Sequence, residues 1–203
     1  MDKTEALKII LNNAKVYRAH LENKNVLFIF GSKDKTEYIE TLFLPRNYLH
    51  LTGIELTNNI SKHEFYKRCI KNKVNLSDFK LKSDGTTKLK LSVLPQIMQI
   101  SHVAKMMGDY NNTGAMLYTE KITGTSTACL GFILNNGFYI PNTVLKDDIR
   151  DITNRPQSRI LAIYSKDKSE EKYSKRTYLA KNVNDTLFPK EILDLITKVD
   201  MKL

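Results

Sequence analysis

One histidine of this sequence, at the end of an apolar stretch, is a candidate for acid–base chemistry. The chain has four histidines, and His50 lies in NYLHLTGIEL, just before a Thr-Gly pair. An imidazole with a pKa of about 6.5 can accept or donate a proton near neutral pH. Alternation along a strand would place Tyr48, His50 and Thr52 on one face, opposite two leucines. From this pattern alone, a core histidine bonded to a backbone carbonyl is the favoured interpretation.

Other familiar catalytic and cofactor-binding patterns are missing from the sequence. There is no GxGxxG after a predicted strand, no GxxxxGK[ST] loop, no HExxH and no GxSxG. Cys69 and Cys129 stand in unlike contexts without a CxxC pair, so we expect two reduced thiols and no zinc site. We therefore expect no metal and no cofactor.

The remaining reactive residue types are His, Lys, Arg, Thr and Tyr. This set suits RNA cleavage by the RNA's own 2′-hydroxyl. In that reaction a group with a pKa near neutral removes the 2′ proton, and an acid protonates the 5′ leaving oxygen. Cations stabilise the negative charge that develops on phosphorus.

Positive charge is concentrated in one segment. The chain carries a net charge of +10, and residues 59–105 hold ten of its lysines and arginines but three acidic residues. A cationic segment attracts polyanions, so RNA is the expected partner, with DNA as an alternative. Lys67, Arg68 and Lys71 are the candidate phosphate contacts. The competing interpretation is a solvated lysine face without a partner.

The elements that must position these residues predict an α+β fold. Helical periodicity marks DKTEALKIILNNAKVYRAHLENKN, SKHEFYKRCIKNK, KLSVLPQIMQISHVAKMMGDY and FPKEILDLITKV, and the first two are expected to start at the N-cap residues Asp2 and Ser61. The continuous apolar run VLFIF predicts a central strand, which a polar turn from Gly31 to Lys35 follows. Short β-prone runs continue from residue 115 to residue 182, separated by turns such as Asn135-Asn136-Gly137. We expect N-terminal and central helices packed on a largely antiparallel β-sheet. Residues 1–203 are expected to form one domain, in which 59–108 is a basic helical segment.

Membrane contact is not expected. No apolar run approaches the roughly 18–20 residues that a membrane-spanning helix needs. The N-terminal stretch MDKTEALKIILNNAK mixes charges with its apolar residues, which is not typical of a secretory signal. We therefore expect a cytoplasmic protein.

Five motifs together resemble a nuclease family of phages and mobile elements. They are NYLHLTGI, the FY of the next helix, DGTTKLKLSVL, GFYIPNTVLKDDIR and RILAIYSK, in this order between about residues 25 and 180. The family is the phage branch of the barnase–EndoU–colicin–RelE group, in particular its fourth subfamily. The resemblance implies a metal-independent endoribonuclease with helices on a four-stranded antiparallel sheet. It also implies a location in the cytoplasm of a host cell.

The resemblance assigns roles to particular residues. His50 becomes the histidine of an HLxG motif, Lys88 or Lys90 follows the DG turn, and Tyr139 to Thr143 line the same cleft. With the resemblance, a functional role for His50 becomes the favoured interpretation. We predict catalysis by His50, Thr52 and Lys88. Substrate contacts are predicted for Tyr48, Lys67, Arg68, Lys71, Lys90, Tyr139, Asn142, Thr143 and Arg159. The alternatives are turn or cap roles for Tyr139 and Asn142, and an ion pair for Arg159.

Two functions therefore compete. The first is a metal-independent endoribonuclease. The second is a non-catalytic phage-encoded protein that binds nucleic acid or inhibits a host defence, with a host protein as its partner. A transferase on the same kind of sheet is less favoured, because no nucleotide-binding glycine loop supports it.

Overall fold

The computed structural model describes residues 1–31, 35–57, 59–112 and 118–197. The α-helices in these ranges are α1 Lys3–His20, α2 Tyr48–Thr52, α3 Lys62–Ile70, α4 Thr86–Ile97, α5 Ile100–Val103, α6 Ile149–Ile152 and α7 Lys190–Leu195. The strands are β1 Lys24–Gly31, β2 Thr36–Phe43, β3 Glu55–Leu56, β4 Phe79–Lys80, β5 Met106–Asp109, β6 Lys121–Gly124, β7 Cys129–Asn135, β8 Phe138–Leu145, β9 Ser158–Asp167 and β10 Lys175–Leu179. No helix of this described part is long and apolar enough to cross a membrane.

The main sheet has eight strands and closes on itself. Its order is β1-β2-β8-β7-β6-β5-β9-β10, and a further pairing of β1 with β9 completes a barrel. Strands β2 and β8 run parallel where Thr41 pairs with Tyr139, and the other described pairings are antiparallel. The predicted α+β class and the largely antiparallel sheet are thus confirmed. The four-stranded sheet implied by the resemblance is wrong for this chain.

Strand β1 lies at the centre of the fold, as its apolar run predicts. It pairs along its whole length with β2 on one edge and β9 on the other. On one face, Phe28 belongs to a core that includes residues of α1, α3 and α4. On the other face, Leu27 and Ile29 contact a cluster that includes Tyr173 and Ile192. Apolar groups cover both faces, which explains why the strand does not alternate.

The sequence predicts the residues at which the helices begin better than those at which they end. Asp2 caps α1 by accepting a hydrogen bond from the Glu5 amide at 2.8 Å. The predicted helix through KLSVLPQIMQISHVAKMMGDY is interrupted after Ile97, resumes only as the short helix α5, and is wrong at Met106–Asp109, which form β5. Pro95 lies in the last turn of α4, where it has no amide to donate to the Leu91 carbonyl. The predicted turn after β1 lies partly outside the described residues.

Tyr48 provides a stability test of how α2 is anchored. Its hydroxyl donates to the carbonyl of Ile10 in α1 at 2.6 Å and is fully buried. Tyr48→Phe keeps the ring but removes this bond, so we expect a loss of about 1–2 kcal/mol in the free energy of unfolding, measured in urea. Tyr118→Phe is the matched control, because Tyr118 is 85% exposed. Equal stability of Tyr48→Phe and wild type would contradict the anchoring role.

Candidate functional site

His50 lies on a short helix, so the predicted strand at this position is wrong. Residues Pro45–Asn47 form a 3₁₀ turn that leads directly into α2. In this turn the Leu44 amide donates to Oδ1 of Asn47 at 2.8 Å. At about 100° per residue, His50 faces away from the other four residues of α2. Those four are buried, whereas His50 is exposed.

Tyr48 and Thr52 therefore do not share a face with His50. Tyr48 is tied to α1 through its hydroxyl, as described above. Thr52 is fully buried, and its hydroxyl donates to the Leu49 carbonyl of the same helix at 2.7 Å. Both side chains hold α2 in place, and neither is exposed beside His50. The prediction that groups the three residues on one face fails because five residues fit a helical period as well as a strand period.

Two lysines from different helices contact His50, and the three residues are called the cationic cluster below. Nε2 of His50 lies 2.7 Å from Nζ of Lys62, the first residue of α3. Nζ of Lys90, in α4, donates to the backbone carbonyl of His50 at 3.2 Å. Three helices thus converge at His50, with one lysine at its imidazole and the other at its backbone carbonyl.

The Lys62 side of this cluster is positioned by a helix start that the sequence predicts. Ser61 caps α3, because its hydroxyl accepts from the Glu64 amide at 3.1 Å. Lys62 follows immediately, so its place beside His50 depends on where α3 begins. The N-terminus of an α-helix also carries partial positive charge, which adds to that of the lysine.

The Lys90 side is positioned by a tight contact between α2 and α4. The Thr87 hydroxyl donates to the Gly53 carbonyl at 2.7 Å and accepts from the Lys82 amide at 3.0 Å. Gly53 has φ +69°, the left-handed conformation that ends α2. A Cβ atom at this position would lie 2.8 Å from Cδ of Lys90. Only glycine therefore lets the lysine stem lie this close to the turn.

The electrostatics of the cluster are those of crowded cations. Partial desolvation lowers the pKa of His50, and the charges of Lys62, Lys90 and Lys82 lower this pKa further. Burial lowers the pKa of Lys90 to about 8, with Lys82 as a second cause. The imidazole is therefore neutral near pH 7 and is surrounded by positive charge. Such a site favours an anion.

His50 opens onto a groove of about 280 Å³ between α2, α3 and the β7–β8 hairpin. One wall carries Arg46, Asn47, His50 and Lys62. The opposite wall carries Ile133, Asn135, Ile140, Pro141 and Asn142. The groove thus joins a cationic wall to a wall of apolar and amide groups.

A β-bulge directs the predicted residue Asn142 to this groove. Gly131 pairs with Thr143 and Phe132 pairs with Pro141, so Asn142 is an extra residue in β8. Bulges re-aim side chains and are common next to functional sites. Thr143 is instead buried, with Cγ2 close to Gly131, and Tyr139 is half-buried against the main core. Neither Tyr139 nor Thr143 lines the groove.

Of the two lysines after the DG turn, the structure brings Lys90 to His50. Lys88 is exposed and lies about 200° around α4 from Lys90. The structure therefore places Lys90 beside His50, while catalysis by Lys88 stays a prediction. The inward packing of α4, which buries Thr87, Leu91 and Leu94, decides which of the two lysines reaches His50.

The other predicted contacts lie apart from the His50 groove. Lys67, Arg68 and Lys71 line a second groove of about 350 Å³ at the C-terminal end of α3, together with Glu64 and Lys73. Arg68 is partly neutralised, because it pairs with Glu64 at 3.1 Å and with Asp78 at 3.9 Å.

Arg159 lies on β9, outside both grooves. It donates to the Lys181 carbonyl at 3.1 Å, so its hydrogen-bond partner is a backbone carbonyl rather than the acid suggested as an alternative.

Sequence reasoning missed Arg46 and Lys62, both of which line the groove. Lys62 had a usable signal, since it follows a predicted N-cap and belongs to the basic segment. Arg46 had none, because its role depends on the turn that precedes α2. In residues 1–31, 35–57, 59–112 and 118–197, no group of three or more His, Cys, Asp or Glu side chains is arranged to hold a metal ion.

Comparison with protein families gives one match. The model of a family described as phage-Barnase-EndoU-ColicinE5/D-RelE like nuclease4 matches residues 9–182. The matched region includes α2, α3 and the β7–β8 hairpin, which line the groove, and α4, which carries Lys90. No curated protein and no solved structure matches the chain significantly.

The cationic cluster predicts how the His50 pKa responds to charge removal. Lys62→Ala and Lys90→Ala should each raise this pKa toward its usual 6.5, because each removes a charge that disfavours protonation. The measurement is an NMR titration of the His50 Cε1–H signal, identified from its loss in His50→Ala. Lys88→Ala is the matched control and should leave the pKa unchanged. A shift in Lys88→Ala without one in Lys90→Ala would refute the geometry.

Proposed function

The chain belongs to the family of phage-Barnase-EndoU-ColicinE5/D-RelE like nucleases, and from this premise we propose that it is an endoribonuclease that needs no metal ion. A nuclease of this type acts on nucleic acid, and the choice of RNA and of the reaction is our proposal. One observation carries it: the neutral His50 imidazole stands beside Lys62 in a groove, with Lys90 at its backbone. A base next to cations meets the needs of attack by a 2′-hydroxyl.

In this proposal His50 is the general base. Its lowered pKa keeps the ring neutral near pH 7, and Nε2 then accepts from Lys62. A phosphate in the groove would attract the Lys62 ammonium and leave the Nε2 lone pair to the 2′-hydroxyl. As Nε2 takes the proton, the 2′-oxygen bonds to phosphorus.

The cations handle the charge and the leaving group. Lys62 and Arg46 line the groove and would stabilise the extra negative charge on phosphorus. The bond to the 5′-oxygen breaks, and that oxygen takes a proton from Lys90, whose pKa of about 8 makes it a better acid than an ordinary lysine. The products are a 2′,3′-cyclic phosphate and a 5′-hydroxyl. Thr52 and Lys88 have no part, because one is buried and the other faces away.

Substrate contacts beyond the reacting phosphate remain predictions. The groove lined by Lys67, Arg68 and Lys71 lies along α3 from Lys62, so a strand bound at His50 could follow the helix to it. Five residues of helix from Lys62 to Lys67 correspond to about 7.5 Å along the axis and a rotation of about 140°, so the strand would curve around α3. That distance is similar to the step from one phosphate to the next in an extended strand.

A second candidate function is nucleic-acid binding without catalysis. It is favoured by the groove at the C-terminal end of α3, whose described lining consists of Glu64 and four basic residues, without a histidine. Under this proposal the chain acts in a host cytoplasm on nucleic acid or on a host protein. Cleavage assays separate the two functions.

The main prediction concerns His50 and Lys90. His50→Ala should lower the cleavage rate roughly 10²- to 10⁴-fold, the usual share of one general acid–base group. Lys90→Ala should lower it roughly 10- to 10³-fold, because both charge and proton donation are lost. Lys88→Ala should cleave within about twofold of wild type, since it removes only an exposed charge. The measurement is the single-turnover rate on a labelled RNA.

Stability and product analysis complete this test. His50→Ala should unfold at the wild-type urea concentration, because an exposed side chain leaves no cavity. The products should carry a 2′,3′-cyclic phosphate, a 2′-deoxy substitution should block cleavage, and EDTA should not. A folded His50→Ala protein with full activity would exclude the general-base role. A wild type that binds RNA but cleaves none would favour the binding protein.

The two pKa shifts predict a bell-shaped pH profile. His50 must be unprotonated, so activity is present above its lowered pKa and is lost as the pH falls through it, below 6.5. Lys90 must be protonated, so activity is lost as the pH rises through about 8. Lys62→Ala should move the acidic limb to higher pH, because it raises the His50 pKa. An acidic limb that stays in place in this variant would show that another group titrates.

A further inference from the structure

The two walls of the His50 groove differ in chemistry. The α2–α3 wall presents Arg46, His50 and Lys62, which suit a phosphate. The hairpin wall presents Ile133 and Ile140, which are half-exposed, beside the amide side chains of Asn135 and Asn142. Apolar surface with a few amides does not attract phosphate, but it suits a flat heteroaromatic ring with polar edges.

The hairpin holds these side chains in a fixed arrangement. Ile133 pairs directly with Ile140 across β7 and β8, so the two side chains lie side by side on one face. Asn136 and Gly137 both have positive φ, as in the tight two-residue turn that directly follows Asn135. The bulge at Asn142 breaks the alternation of β8 beside Pro141.

We propose that the hairpin wall is a nucleobase subsite. The base 5′ to the scissile phosphate packs on Ile133, Ile140 and Pro141, and its edge bonds to Asn142. This inference rests on the proposed ribonuclease function and adds to it a base that is recognised. The volume of about 280 Å³ is close to the roughly 300 Å³ at which small-molecule sites begin.

The orientation of the Asn142 side-chain amide determines which edge of a base it can bond to. Its Nδ2 donates to the Tyr118 carbonyl at 2.5 Å, so the amide group is held by one end. The Oδ1 atom is then available as an acceptor. An acceptor at this position bonds to the donor edge of a base, through an exocyclic amino group or a ring N–H.

Tyr118 supplies aromatic surface next to Asn142. Its side chain is 85% exposed, although its carbonyl is held by Asn142. Exposed aromatic rings stack on bases in proteins that bind single strands. In the proposed subsite this exposed ring, joined to Asn142 through its backbone, swings onto the bound base.

The decisive experiment varies one base. The substrate is a 2′-O-methyl oligonucleotide with a single ribonucleotide at the cleavage site, carrying adenine, cytosine, guanine, uracil or no base. Wild type should cleave its preferred base at least about tenfold faster in kcat/KM than the abasic substrate, the value of one good hydrogen bond or stacking contact. Asn142→Ala and Tyr118→Ala should each lose about tenfold on the preferred base, yet stay within about twofold on the abasic substrate.

Leu134→Ala is the matched control. Leu134 lies between Ile133 and Asn135 but points to the other side of β7, where it is 51% exposed. It should cleave every substrate at the wild-type rate. Equal cleavage of all five substrates by wild type, or equal losses of Asn142→Ala with and without a base, would overturn the subsite while leaving the ribonuclease in place.

A binding measurement keeps the subsite testable without catalysis. Nucleoside 3′-monophosphates should shift the Asn142 side-chain amide and the Ile140 methyl signals in NMR spectra, whereas ribose 5-phosphate should shift only His50. If no substrate is cleaved but these shifts occur, the proposed reaction fails and the subsite stands. If nucleotides and ribose phosphate shift the same signals, the subsite is wrong.

Discussion

The hydrogen bond from the Thr87 hydroxyl to the Gly53 carbonyl joins the start of α4 to the end of α2. The position of Lys90 beside His50, and with it the charge of the groove, depends on this bond. It is buried, so breaking it would leave a carbonyl without water or partner. The bond fixes the distance between the two helices at Gly53, which has no side chain to keep them apart. The Lys90 stem then lies against Gly53, and its ammonium reaches the His50 carbonyl.

This arrangement is electrostatically unfavourable in the free protein. Lysines 62, 82 and 90 act on one imidazole, and the pKa of His50 is lowered in consequence. The rest of the fold opposes this repulsion, because α2 is anchored through Tyr48 and α3 through its capped start. A phosphate bound here would relieve the repulsion. The packing of the surrounding core holds the lysines close together, so their charges can act jointly on an anion.

The sheet contributes the other half of the groove. Closure of the barrel through the β1–β9 pairing fixes β1 and β2, and β2 in turn holds β8 at the position of the parallel pair. The β7–β8 hairpin therefore faces α2 and α3 as a rigid wall. Cationic groups come from the helices and apolar and amide groups come from the sheet, which is why the groove offers two chemistries within one small volume.

The sequence by itself determined the features that depend on neighbours along the chain. The caps of α1 and α3, the buried strand β1 and the turn at Asn136-Gly137 follow from local residue types, and the basic segment follows from composition. His50 could be singled out from its motif and from the resemblance to a nuclease family. These features need no knowledge of distant contacts.

The tertiary structure decided what depends on contacts between distant parts of the chain. Five residues around His50 fit both a strand and a helix, and packing of Tyr48 and Thr52 against the core selected the helix. The phase of α4 decided between Lys88 and Lys90, and a bulge in β8 decided that Asn142 faces the groove. Barrel closure likewise depends on strands far apart in the sequence. Short-range patterns carry no information on such pairings, because their free energy comes from surfaces that meet only in the folded chain.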